Sequence, residues 1–168
     1  MKEKPILFSG PMVRAILDGR KTQTRRLVKL KCPYEIGMRL WVWETFHAYP
    51  NGKIIYRATI PYGNLDCHFN PWTPSTCMGK KFSRLTLEVT NIRVERLQEI
   101  TEEDAKKEGA IFHDGRGIGH SGWRHDYRDV YDDARSSYAG LCALIHGPGS
   151  WEDNPFVWVY NFKRLDEK

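Results

Sequence analysis

Ile16-Leu17-Asp18-Gly19-Arg20-Lys21-Thr22-Gln23-Thr24-Arg25-Arg26 is a helix end that turns through a glycine into a basic, threonine-punctuated strand. Upstream, Ser9-Gly10-Pro11 starts the helix, with proline where its missing N–H costs nothing, and Met12, Ala15 and Ile16 recur at helical spacing. Gly19 is placed as the C-terminal cap, so the helix delivers Arg20 and Lys21 at a sharp corner. Strand alternation begins at Thr22; Lys21 and Thr24 have opposite parity and meet only if the backbone is still turning at Lys21. Between Arg14 and Lys31 there are seven basic residues and one acid, a local net of +6 against +5 for the whole chain. Charge concentrated in this way attracts phosphate, although a solvated basic edge strand has the same composition.

Outward from this stretch the punctuation predicts the remaining elements. Pro5-Ile6-Leu7-Phe8 is a short opening strand, and Tyr34-Glu35-Ile36-Gly37 turns into a strand over Arg39 to Thr45. Asn51-Gly52 joins that strand to Ile54–Ala58 as a hairpin. Residues 61–79 read as loop, and Phe82 to Leu97 as a strand long enough to bend or contain a bulge. Thr101 caps a helix with Glu102, Glu103 and Asp104 in its first turn, closing at Gly109. His113 to Arg124 reads as a glycine-rich surface loop. Val130, Tyr131, Ala134, Tyr138, Leu141, Cys142 and Ile145 then share one face of a long helix ending at Gly147-Pro148-Gly149, and Phe156 to Phe162 is the last strand. The expected architecture is a single α+β domain over 1–168. Its five or six mostly antiparallel strands curl into a small barrel with flanking helices, and a loop and helix are inserted at about 110–146.

Length and composition fit a globular chain: 168 residues, 40% hydrophobic and 28% charged. Without an apolar run for a bilayer or a signal-peptide core, the expectation is a cytoplasmic protein with no membrane partner, its four cysteines free thiols. For chemistry, Thr24 is a candidate nucleophile and Lys21 its base, with Arg20, Arg25 and Arg26 supplying like charge to depress the lysine pKa. Glu108 sits at a helix C-terminus, where the macrodipole disfavours a carboxylate and favours proton transfer near neutrality. The plainer alternatives are an ordinary strand and an exposed helical glutamate. Cys67, His68 and Cys77, or His113, His120 and His125, lack the paired spacing of a zinc site, so no metal is expected. No phosphate-cradling glycine loop is present and no cofactor is expected. The six tryptophans allow base stacking, but Trp41 and Trp43 share a strand face and suit core or semi-core.

The opening stretch, Ile36-Gly37 to Val42, Leu87-Glu88-Val89-Thr90, and Leu97 to Gly109 resemble the ASCH domain family, a PUA-like fold. Phe8 to Val13, Arg93 to Leu97, Gly147 to Trp151 and Asn154 to Val159 are similar to recurring phrases of ASCH proteins from phages and prophages. One branch of that superfamily, a bacterial acetylcytidine amidohydrolase, uses a lysine, a threonine and a glutamate. Its motif maps onto Gly19, Lys21, Thr22 and Thr24, and its glutamate onto Glu108. The resemblance implies catalysis by Lys21, Thr24 and Glu108. The expected substrate or nucleic-acid surface is made of Arg20, Thr22, Arg25, Arg26, Trp43, Glu44 and Arg84. The implied reaction is hydrolysis of an acylated base in a nucleoside, nucleotide or RNA; binding of RNA or DNA without turnover, or ribonuclease action, is the alternative.

Overall fold

The computed structural model describes residues 2–60, 72–115, 121–125 and 129–165. Strand β1 (Glu3–Leu7) leads into helix α1 (Gly10–Leu17), followed by β2 (Gln23–Leu27) and β3 (Arg39–Trp43). A small hairpin of β4 (Phe46–Ala48) and β5 (Ile54–Tyr56) runs into a 3-10 turn at Arg57–Thr59. Then come the long strand β6 (Thr86–Arg96), helix α2 (Glu102–Lys107), the hairpin β7 (Ile111–His113) and β8 (Gly122–Arg124), helix α3 (Ala134–His146) and β9 (Phe156–Leu165).

The α+β class holds, with one five-stranded sheet in the order β1-β3-β6-β9-β2, parallel only between β1 and β3. The sheet does not close into a barrel. β1 and β2 are its two edges, and among the described residues no ladder joins them. A side chain spans the gap instead: Arg26 donates from Nη2 to the Leu7 carbonyl at 2.6 Å while its guanidinium lies over the Phe8 ring.

Three sequence expectations shift. The Asn51-Gly52 turn forms, with Gly52 at φ +83°, but its first arm is β4. β3 is unavailable because both its edges are taken, one by β1 and one by β6. The glycine-rich stretch is bracketed by a hairpin, β7 ending at its first residue and β8 forming its last three, and Trp123 also pairs with Tyr131. Finally, α3 begins at Ala134, where the Asp133 carboxylate accepts from the Ser136 N–H; Val130 and Tyr131 lie before it, and Ile145 is half exposed. The expected bulge in the long strand is present between Val89 and Asn91.

Both faces of the sheet are covered, which is why β9 reads as an almost continuous apolar run. Tyr160 and Phe162 face one way, into a core with Phe8, Val13, Ile16, Leu40, Leu87 and Val89. Val157 and Val159 face the other way, into a second core with Leu97, Ile100, Ala105, Tyr138 and Cys142 beneath α2 and α3. Each large apolar side chain buried here contributes about 1.5–3 kcal/mol. β2 sits between the two cores, so its alternating residues belong to different environments.

Candidate functional site

Helix α2 is short and strongly signalled. The Thr101 hydroxyl accepts from the Asp104 N–H, three acids occupy the first turn, and Gly109 leaves the helix at φ +109°. A Cβ on Gly109 would stand 2.9 Å from the Ala15 Cβ and 3.4 Å from the Lys21 Cβ. Glycine therefore lets the end of α2 rest on the corner that follows α1. That corner is still turning at Lys21, whose backbone N–H donates to the Ala15 carbonyl.

The consequence is a buried charge cluster. Lys21 Nζ donates to Glu108 Oε2 at 2.7 Å and to the Glu108 carbonyl at 2.8 Å, with the two side chains 0% and 3% exposed. Arg25 Nη1 donates to the other Glu108 oxygen at 3.1 Å, and the same guanidinium bonds Glu95 and Asp104. Arg93 completes the set at Asp104, 2.6 Å, and Glu95, 2.9 Å. Two cations thus hold a carboxylate at the negative end of α2, where the helix alone would oppose it. Burial lowers the Lys21 pKa below the ordinary lysine range, Arg26 and Arg25 push the same way, and Glu108 pulls against them.

The other candidates divide between environments. Thr24 pairs across the ladder with Tyr160 and so faces the first core, whereas Arg25 pairs with Val159 and faces α2. Thr24 is buried, and among the described residues no hydrogen bond joins it to Lys21. Arg20 donates to the Gly109 carbonyl at 2.8 Å and to Asp18 at 2.7 Å. Thr22 is exposed, and its backbone links Lys107 to Phe162. Trp43 donates from Nε1 to the Met78 carbonyl and meets Trp41 edge to face. Glu44, 2% exposed, is clamped at 2.8 and 2.9 Å by Arg84, which stacks on Tyr56. Arg25 departs from the expected surface role: its side chain is 1% exposed and its donors are spent on three carboxylates. Arg26 likewise is occupied at the sheet seam.

Two cavities flank the start of α1, and Ser9 and Pro11 line both. One, of about 160 Å³, is formed with Glu108, Gly109, His125, Met12 and the α3 residues Leu141, Leu144 and Ile145. The other, of about 310 Å³, is formed with Arg14, Glu44, Thr45 and Arg57. His125 bridges α2 and α3, its Nε2–H donating to the Ala105 carbonyl and its Nδ1 accepting from the Ser137 hydroxyl at 2.9 Å. Burial first, and the nearby Lys21 charge second, lower its pKa to about 3, so the ring is neutral at physiological pH.

His113 accepts from the Gly115 N–H, and Cys77 is exposed. Cys67, His68 and His120 lie outside the described residues. Among the described residues no group of three side chains is arranged to hold a metal. Arg14 and Arg57 line the larger cavity; Arg14 is the first residue of the basic stretch, whereas Arg57, between Tyr56 and Ala58, has no signal in the sequence.

No protein-family model matches the chain, and no curated protein sequence matches it. Among solved structures it is similar to a crystal structure of an ASCH domain from Lactobacillus crispatus. Identity is 12% and the TM-score 0.48, over 97% of this chain and 79% of that one. It is also similar to a crystal structure of an Enterococcus faecalis protein assigned to DUF984, at 8% identity and TM-score 0.48, over 98% of this chain and 76% of that one. Among the described residues no helix is long and apolar enough to cross a membrane.

Proposed function

We propose that the chain is a hydrolase that removes an acyl group from a modified base, with Lys21, Thr24 and Glu108 as its catalytic residues. The observation that carries the reading is the buried Lys21–Glu108 pair: Glu108 is among the residues lining a cavity, and burial biases the Lys21 amine toward the neutral, proton-accepting form.

In the proposed reaction the Thr24 hydroxyl attacks the acyl carbon and its proton passes to neutral Lys21. The tetrahedral intermediate collapses as the C–N bond breaks, and the leaving amine takes a proton from Lys21 by way of Glu108. Water then attacks the threonyl ester, yielding the acid and restoring the hydroxyl. Attack requires the Thr24 side chain to turn from the first core toward Lys21 when substrate binds. The test is mass spectrometry of acylated cytidine, cytidine nucleotides and short RNAs incubated with wild type, Thr24→Val and Glu108→Gln. Both substitutions keep side-chain shape, and circular dichroism confirms the fold. Deacylation by wild type that both variants lose supports the assignment, and full activity in either variant refutes it.

A second reading, binding of RNA without turnover, is favoured by Lys29 and Lys31, which stand exposed on the loop after β2. It predicts salt-sensitive RNA affinity and no deacylation by any form of the protein.

A further inference from the structure

The larger cavity at the start of α1 is shaped for an anion. Arg14 and Arg57 line it from two separate elements, α1 and the 3-10 turn after β5. Arg14 is fixed in place: Nη1 donates to the Ala58 carbonyl at 2.7 Å, and Nη2 lies 4.0 Å from where a Cβ on Gly10 would stand. Its guanidinium therefore folds back over the first turn of its own helix. Arg57 is exposed, and among the described residues it has no ion-pair partner. Among the described residues the one acid in the lining, Glu44, is bound through both oxygens by Arg84, so its charge is already met inside the protein. The beginning of α1 adds to this field, since it has no acid in its first turn and the Ser9 side chain makes no capping bond.

We infer that this cavity binds the phosphate monoester of a nucleotide, with Arg57 and Arg14 on the phosphate and Glu44 accepting from a sugar hydroxyl. Guanidinium groups are suited to phosphate because their donors are paired in a fixed plane; exposed Arg57 offers such a pair, and Arg14 adds a positive charge held in place through the Ala58 carbonyl. The volume of about 310 Å³ exceeds what a bare phosphate fills and leaves room for the sugar. Each Glu44 oxygen accepts one bond from Arg84 and keeps a lone pair for a hydroxyl. This inference deepens the hydrolase reading, on which it rests for the identity of the base. Ser9 and Pro11 line both cavities, so the phosphate site lies beside the cavity that Glu108 lines.

The experiment is calorimetric titration of the full chain with cytidine, cytidine 5′-monophosphate and a short RNA carrying a 5′-phosphate, repeated with Arg57→Ala and Arg57→Lys. The expected result is that the monophosphate binds on the order of tenfold more tightly than the nucleoside, an advantage that shrinks as salt is raised. Arg57→Ala removes that advantage, and Arg57→Lys restores part of it. Tighter binding of the RNA than of the free nucleotide assigns the phosphate to a nucleic-acid end, and the reverse assigns it to a free nucleotide. Equal affinity for nucleoside and monophosphate, no binding of either, or an Arg57→Ala variant that keeps the preference overturns the inference. Because binding is read without turnover, absence of deacylation alongside a phosphate preference defeats the hydrolase reading alone. Deacylation of a nucleoside with no phosphate preference defeats this one alone.

Discussion

The basic stretch that dominates the sequence splits into two regions of opposite physical character. Lys21 and Arg25 are buried and bonded to carboxylates from β6 and the α2 region, while just beyond them Lys29-Leu30-Lys31 stand in solvent, Leu30 at 99% exposure. The same residue types at the same density thus do different work. The first group fastens β2 and the corner before it to the end of α2; the second supplies surface charge. Desolvation separates them: a buried ion pair is costly to form but far more costly to break on one side, whereas an exposed lysine is close to neutral for stability.

The largest effect tests that separation directly. Arg25→Ala leaves Glu95, Asp104 and Glu108 with one cation fewer in a buried setting, and the expected loss in urea unfolding is about 3–5 kcal/mol. Lys31→Ala is expected to cost less than about 0.5 kcal/mol. Equal, small losses from both would mean that the cluster is no tighter than a surface pair.

Next in size is the coupling within the pair. Lys21→Met and Glu108→Gln are each expected to destabilise, and the double variant to lose less than the sum, with an interaction of about 1–3 kcal/mol. Strict additivity would remove the basis for treating Lys21 and Glu108 as one coupled ion pair.

The sequence made some of this legible because the signals were local. The Gly19 cap, the Asn51-Gly52 turn, the acidic first turn of α2 and the apolar run of β9 each occupy a few consecutive residues and each forms, although the Asn51-Gly52 turn follows β4 and not the expected strand. The meeting of Lys21 with Glu108, 87 residues apart, was reached only through resemblance. Nothing local marks Arg25 as buried, since its partners lie 70 to 83 residues away in β6 and α2. β4, β7 and β8 are three residues each, too short to display a period of two. Thr24 and Arg25 are neighbours in sequence but face different cores, an outcome fixed by two layers that no window over β2 contains.

His125 sharpens the comparison from the side of pH. Its folded pKa of about 3 lies below the ordinary histidine value, so protons bind the unfolded chain more tightly than the folded one. The stability it provides is complete above about pH 6.5 and is lost as pH falls from there toward 3, at roughly 1.4 kcal/mol per unit inside the window. The half-exposed His146, also shifted down by burial, adds a smaller loss of the same sign. Thermal melts between pH 7 and 5 should show this slope, and His125→Gln should flatten most of it. An unchanged slope would show that His125 is not the buried neutral bridge between Ala105 and Ser137.

The smallest effect on stability has the clearest effect on binding. Neutralising Lys29 and Lys31 should leave the unfolding midpoint almost unchanged, because both residues are exposed. If the loop after β2 contacts RNA, each substitution should reduce the slope of log affinity against log salt by about 0.7, the counterion release for one phosphate of a single strand. Arg57→Ala acts on a different surface and should add to that reduction independently, since the cavity at α1 and the loop after β2 share no residue. A double-lysine variant with an unaltered slope would assign all phosphate recognition to Arg14 and Arg57. The exposed half of the basic stretch would then be a solvated edge loop, and the part of the chain that looked most like a nucleic-acid surface would be the part that touches none.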